Sequence, residues 1–191
     1  MAYRLIGFSA ATDGSSKITD LLTDFSGRLV QDAAFQPADI TVHTLSHIEN
    51  DLRSARFRSE LEGQARGALL DCEAAEALVI AASVKAYRGY PGLLKHLIDM
   101  ADLELLRRKP IVVLAIGPVS SATRHARLEL RLLFRSVGAT NVRLIGAPHT
   151  QFKQLMSEDP GFFRAFNELQ TDLAVSASAA KQTQLRPVRV A

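Results

Sequence analysis

Two stretches of this sequence carry side chains whose types and spacing suit the binding of a ligand. The first, Ser9-Ala10-Ala11-Thr12-Asp13-Gly14-Ser15-Ser16-Lys17, presents the hydroxyls of Ser9, Thr12, Ser15 and Ser16 and the ammonium of Lys17 ahead of an amphipathic run. Hydroxyls, unpaired backbone N–H groups and the positive end of a helix dipole together favour a phosphate. The same residues would equally serve a helix capped by Ser15 or Ser16, and the pattern is neither a Walker loop nor a GxGxxG turn. The second stretch, Ala81 to Asp99, passes from an apolar run to an amphipathic one through Ser83-Val84-Lys85-Ala86-Tyr87-Arg88-Gly89-Tyr90-Pro91. This is strand, loop, helix, with Tyr87 and Tyr90 between a strand's carboxyl end and a helix's amino end, the edge at which open α/β sheets bind ligands. For Tyr90, packing at the helix start is nearly as good a reading as ligand contact.

Other chemistries find less support. The five histidines have no metal-ligand spacing: His43 and His47 are four apart but straddle a strand end without a third ligand nearby. The single Cys72 excludes an internal disulfide, falls on the apolar side of a helical pattern and has no partner motif for nucleophilic catalysis, so a buried structural thiol is expected.

The elements that would position the two stretches follow from hydrophobic periodicity. Tyr3 to Phe8 reads as a first strand, and Ile18, Leu21, Leu22, Phe25 and Leu29 as the apolar stripe of a first helix. Asp39 to Leu45 reads as a second strand and Glu49 to Arg58 as an irregular charged segment, followed by a helix marked by Leu61, Ala65, Ala68, Leu69 and Cys72. A third strand runs from Ala77 to Ala82 or Ser83, and Pro91 opens a helix carrying Leu93, Leu94, Leu97 and Ile98. Pro110 to Gly117 is a fourth strand, its near-continuous apolar character implying burial on both faces. Gly117-Pro118-Val119-Ser120 turns into a helix from Ala122 to Val137, and Asn141 to Gly146 is a fifth strand. Asp159-Pro160 caps a last helix with Phe162, Phe166, Leu169 and Leu173 on one side. Strands alternating with helices predict an α/β three-layer sandwich, a five-stranded parallel sheet with helices on both faces. The hydroxyl-rich first loop fits the flavodoxin-like order 2-1-3-4-5, which holds a flavin mononucleotide at its switch point; a Rossmann domain would need a GxGxxG turn that is absent.

At 191 residues, 47% hydrophobic and 23% charged, the chain is expected to fold as one domain, residues 1–176, with a basic tail, residues 177–191, containing Lys181, Arg186 and Arg189. The net charge of +3 is scattered rather than striped, so a small anionic ligand accounts for it and no nucleic-acid partner is expected. No apolar run is long enough to span a bilayer, and Met1 to Ala11 lacks the features of a signal peptide, so a cytoplasmic location without membrane contact is expected.

With the loops placed, the sequence resembles the NAD(P)H-dependent FMN reductase family, particularly the reductases that serve two-component sulfonate monooxygenases. Ser9 to Leu22 is similar to that family's SGSxRxxSRTxxLL phosphate loop, with Ser16 and Lys17 on the second Ser-Arg pair. Ala86 to Asp99 is similar to VYRGSYPGLLKHLFD, the most specific match, and Arg124-His125-Ala126 and Leu130 to Phe134 resemble the RHA and LRPLF pieces that follow the fourth strand. The resemblance implies hydride transfer from NADH or NADPH to FMN, with reduced flavin passed to a partner monooxygenase. It implies that Ser9, Thr12, Ser15, Ser16 and Lys17 hold the flavin phosphate. Ser83, Val84, Lys85, Ala86, Tyr87, Arg88 and Gly89 would lie along the isoalloxazine edge, and Gly117, Pro118, Val119 and Ser120 would meet the ring's other end. No catalytic residue and no metal is required of the protein. It also implies a homodimer or homotetramer, with His96 and His125 on interface helices. The sequence departs from the family at Ala10, where a glycine is usual, and at Pro118, which replaces the second glycine of a Gly-Gly pair and removes an N–H. A quinone or azo reductase with bound FMN is the alternative enzyme, and a flavodoxin-like module that has lost flavin catalysis the alternative outside enzymes.

Overall fold

A computed structural model describes residues 3–11, 16–30, 38–85, 89–107, 109–139, 141–158, 160, 166–168, 170–172 and 174–175. The apolar runs become five strands, β1 (Tyr3–Ala10), β2 (Ala38–Thr44), β3 (Ala77–Ser83), β4 (Ile111–Gly117) and β5 (Val142–Pro148), paired in the order β2-β1-β3-β4-β5. Every pairing is parallel. The helices named among the described residues are α1 (Ser16–Val30), α2 (Leu45–Ser54), α3 (Gly63–Ala74), α4 (Gly92–Met100), α5 (Leu103–Arg107), α6 (Ser120–Ser136) and α7 (His149–Glu158), with a 3-10 turn at Arg58–Glu60.

Side chains on a strand alternate between faces, and here both faces are buried. Ile6, Phe8, Leu78, Ile80, Ile111 and Val113 belong to one apolar layer with residues of α2, α3, α4 and α6. Leu5, Val79, Val112 and Leu114 belong to the other, with Leu21, Leu22 and Phe25 of α1 and Phe152 and Met156 of α7. Phe25 also meets Phe166 edge-on, with ring centroids 5.6 Å apart. The sheet thus has the predicted order, and the three-layer α/β architecture is present.

Several boundaries differ from the sequence reading. The segment expected to be irregular is helical to Ser54, because Leu45, Ile48 and Leu52 recur on one side and bury themselves. Helix α7, not expected at all, is secured by Phe152 and Met156, four residues apart. Pro91 lies just before α4, with φ −61° and ψ 127°, instead of inside its first turn. Helix α6 starts at Ser120, two residues ahead of Ala122. Residues 177–191 and the expected contacts of Phe162, Leu169 and Leu173 lie outside the described residues.

The connection from α3 into β3 is braced by buried charge. Lys109 is buried and donates to the carbonyls of Cys72 and Glu73 at 2.7 and 2.8 Å, satisfying carbonyls that the end of α3 would otherwise leave bare. The Glu73 carboxylate, also buried, accepts two hydrogen bonds from Arg58 and one from the Asp102 N–H at 2.7 Å. Cys72 beside them is a buried free thiol whose pKa burial pushes up to about 12, so it stays protonated and inert.

Candidate functional site

Parallel pairing sends every strand's carboxyl end to the same rim of the sheet. The register aligns Ala10 with Ala82 and Ser83 with Ile116, so the chain leaves β1, β3 and β4 in a row, adjacent strands being about 5 Å apart. This row contains the point where strand order reverses, since β1 leads to β2 on one side while β3 lies on the other. The two stretches singled out by their chemistry therefore leave the sheet side by side.

At the first of them, Ser9 is fully buried and its hydroxyl accepts a hydrogen bond from Thr19 at 3.0 Å, tying the end of β1 to α1. Lys17 is exposed in the first turn of α1, a turn that contains no acidic residue to offset the positive end of the helix dipole. Thr12 and Ser15 lie outside the described residues, as does the side chain of Ser16.

At the second, Val84 is buried and donates its N–H to the Ile116 carbonyl at 2.7 Å, carrying the β3–β4 ladder past Ser83. Lys85 and Gly89 close a small hairpin through the Lys85 N–H to Gly89 carbonyl bond at 3.2 Å. Ala86, Tyr87 and Arg88, between them, are outside the described residues. Gly89 has φ +64°, and a Cβ there would run into the Glu129 carboxylate of α6, so the turn needs glycine for its backbone and for its close neighbour. Burial, reinforced by Glu129, holds the Tyr90 phenol above its ordinary pKa, which keeps it neutral.

At the third, Gly117 is buried where a Cβ would lie 3.1 Å from Thr123 Cγ2 and 3.2 Å from the Val84 carbonyl, so its lack of a side chain lets β4's end approach the β3 turn. Pro118, Val119 and Ser120 follow it, all exposed at the start of α6. Thr123 closes that first turn by donating from its hydroxyl to the Ser120 carbonyl at 2.9 Å.

A cavity of about 370 Å³ opens beside the second turn, lined by Ser83, Lys85, Tyr90, Leu93 and, from α2, Arg53. Arg53 lies in the segment whose charged sequence suggests irregular structure, so the sequence does not single it out. The spacing of Leu45, Ile48 and Leu52 was the available signal, since it makes the segment a helix. His149, at the start of α7, lies 3.2 Å through Nδ1 from the Gly117 carbonyl, a neighbour that no local pattern announces. Among the described residues no group of three or more His, Cys, Asp and Glu is arranged to hold a metal. His43 instead lies 2.9 Å from the Asp71 carboxylate, and His96 2.9 Å from the Ala55 carbonyl.

An open parallel sheet in this order, with the carboxyl ends of β1, β3 and β4 side by side at its switch point, defines a flavodoxin-like α/β protein. The chain belongs to the NADPH-dependent FMN reductase family, whose family model matches residues 4–150. It is 38% identical over 118 residues to the NADH-dependent FMN reductase SfnF of Pseudomonas fluorescens, covering 60% of this chain and 57% of that protein. It is 37% identical over 102 residues to an FMN reductase (NADPH) of Pseudomonas aeruginosa, covering 51% and 52%. The chain thus spans about half the length of the curated relatives it matches. A crystal structure of an NADH:FMN oxidoreductase (EMOB) in its apo form superimposes with a TM-score of 0.72 at 19% identity, covering 92% of this chain and 90% of the other. Among the described residues no helix is long and apolar enough to cross a membrane.

Proposed function

We propose that this chain is an NAD(P)H-dependent FMN reductase, carrying out NAD(P)H + H⁺ + FMN → NAD(P)⁺ + FMNH₂ and passing the reduced flavin to a partner monooxygenase. The observation that carries the reading is the convergence of the β1, β3 and β4 ends on one rim, with Lys17 and an acid-free helix start beside it. The two nucleotides supply the redox chemistry; the chain's task is to bind them, stack them and exclude water.

In this reading Lys17 and the start of α1, with Thr12, Ser15 and Ser16, receive the flavin phosphate. Ser9 acts one step back, through its hydrogen bond with Thr19. Ser83 to Gly89 border the ring on one side and Gly117 to Ser120 on the other, the missing side chain of Gly117 letting the end of β4 pack close against Val84 and Thr123. A dimer or tetramer belongs to the same proposal. Leu128 and Leu132, 56% and 66% exposed one turn apart on α6, support it. A cytoplasmic location fits the nicotinamide nucleotide supply.

The test is steady-state oxidation of NADPH and of NADH by the purified chain, with and without added FMN. Nucleotide consumption that requires FMN and saturates with it is the expected result. Consumption of neither nucleotide overturns the proposal, and consumption with a quinone but not with free FMN replaces it with a quinone reductase.

Gly89→Ala tests the turn itself. A left-handed φ costs a non-glycine residue about 1–2 kcal/mol, and the Glu129 carboxylate must rotate away as well. The variant turn is expected to relax out of this conformation when empty, so FMN binding must restore it at that cost. Titration is expected to show a dissociation constant roughly tenfold higher, since 1.4 kcal/mol is a factor of ten. Adding Glu129→Ala removes the contact but leaves the backbone penalty, so affinity is expected to recover only in part.

A further inference from the structure

We propose that the cavity beside the β3–α4 turn receives a phosphate group of the nicotinamide nucleotide, with Arg53 and the Lys85 ammonium as its cationic ligands. The proposal rests on the reductase reading and names the part of the site that would hold the second nucleotide.

Both cations line the cavity, and none of the described residues that line it with them carries a carboxylate. Arg53 pairs with Glu49 four residues earlier on α2, but a guanidinium has five donors and can keep that partner while a second oxyanion binds. No hydrogen-bond or ion-pair partner for the Lys85 ammonium is present among the described residues. Tyr90, Pro91 and Leu93 give the cavity an apolar surface suited to a sugar or base, and the neutral Tyr90 phenol adds no competing negative charge. At about 370 Å³ the cavity is at the small end for ligand pockets, matching one nucleoside phosphate better than a whole dinucleotide. Ser83 joins it to the rim, because this residue both ends β3 and lines the cavity. A nucleotide anchored here by one phosphate would reach the rim with its other half.

Lys85 also belongs to the turn proposed to border the flavin, so Arg53, on a different element, makes the cleaner test. Arg53→Gln keeps a polar side chain at an exposed helix position, and melting temperature is measured to verify that it folds. Loss of a charge-assisted hydrogen bond is expected to raise the nucleotide KM roughly tenfold, while FMN affinity, measured by titration of the same samples, stays unchanged. A rise for NADPH alone supports contact with the 2′-phosphate, and an equal rise for NADPH and NADH supports contact with the bridging phosphates. Unchanged KM for both nucleotides overturns the proposal. So does a KM rise accompanied by an equal loss of FMN affinity, which would mean that Arg53 acts through the turn. Failure of the reductase reading is distinct, because the unaltered chain would then oxidise neither nucleotide with FMN.

Discussion

Lys17→Ala is expected to raise the FMN dissociation constant by tenfold or more while leaving the melting temperature within about 2 °C of its original value. Lys17 is exposed, so its removal opens no cavity. Its worth lies in charge. The first turn of α1 has no acidic residue, so a phosphate there meets the helix's positive end and the ammonium together. A hydrogen bond to a charged group contributes about 1.5–3 kcal/mol, and 1.4 kcal/mol is a tenfold change in affinity. Lys17→Arg is expected to retain most of the affinity, whereas Lys17→Glu should lose more than the alanine variant by repelling the phosphate. A titration of flavin fluorescence against each variant reads all three. An affinity for FMN unchanged in Lys17→Ala would move the phosphate away from this helix.

The largest effect on stability is expected from Glu73→Ala. The buried carboxylate joins Arg58, after α2, to the Asp102 N–H, after α4, and its loss strands both donors. Breaking a buried pair costs about 3–5 kcal/mol, and because the Arg58 side chain is 45% exposed and can turn to water, about 3 kcal/mol is the better figure. Thermal unfolding should fall by roughly 6–12 °C, at 2–4 °C per kcal/mol for a chain of this size. The same carboxyl imposes a pH dependence. Burial alone would raise its pKa, but the Arg58 and Asp102 hydrogen bonds and the nearby positive charges outweigh that and hold it below the ordinary glutamate value. The folded chain therefore takes up this proton less readily than the unfolded one. The contribution is fully present above about pH 4.3, the unfolded value, and is lost as the pH falls through the lower folded value. In Glu73→Gln, stability should already be reduced at pH 7 and should fall less steeply on acidification.

What could be read from the sequence was set by how local its signals are. β3 and β4 announce themselves because they are buried on both faces, and Ala77–Ser83 and Ile111–Gly117 show nearly unbroken apolar character. Alternation of strands with helices makes the sheet parallel, the hydroxyl-rich first loop points to the order 2-1-3-4-5, and the strand ends meet at one rim because parallel strands all end there. Helices α2 and α7 are not legible in the sequence. Each is ten residues long with three buried positions in α2 and two in α7, and apart from the partly buried Leu155 of α7 the rest are charged or polar, so the apolar stripe is too sparse to stand out. The residues missed at the site follow from that. Arg53 sits on α2 and His149 on α7, and both approach the rim through tertiary packing that no spacing along the chain encodes. Ser9 illustrates the converse: its type suited a phosphate, but its position on β1 directs its hydroxyl to Thr19.

The account depends on the carboxyl rim being a seat for FMN, and a fluorescence titration of FMN with the purified chain tests that most directly. Saturable quenching at one flavin per chain, weakened in Lys17→Ala and in Gly89→Ala, is the predicted result. Flavin emission that stays constant as the chain is added, or quenching that neither substitution alters, would contradict it.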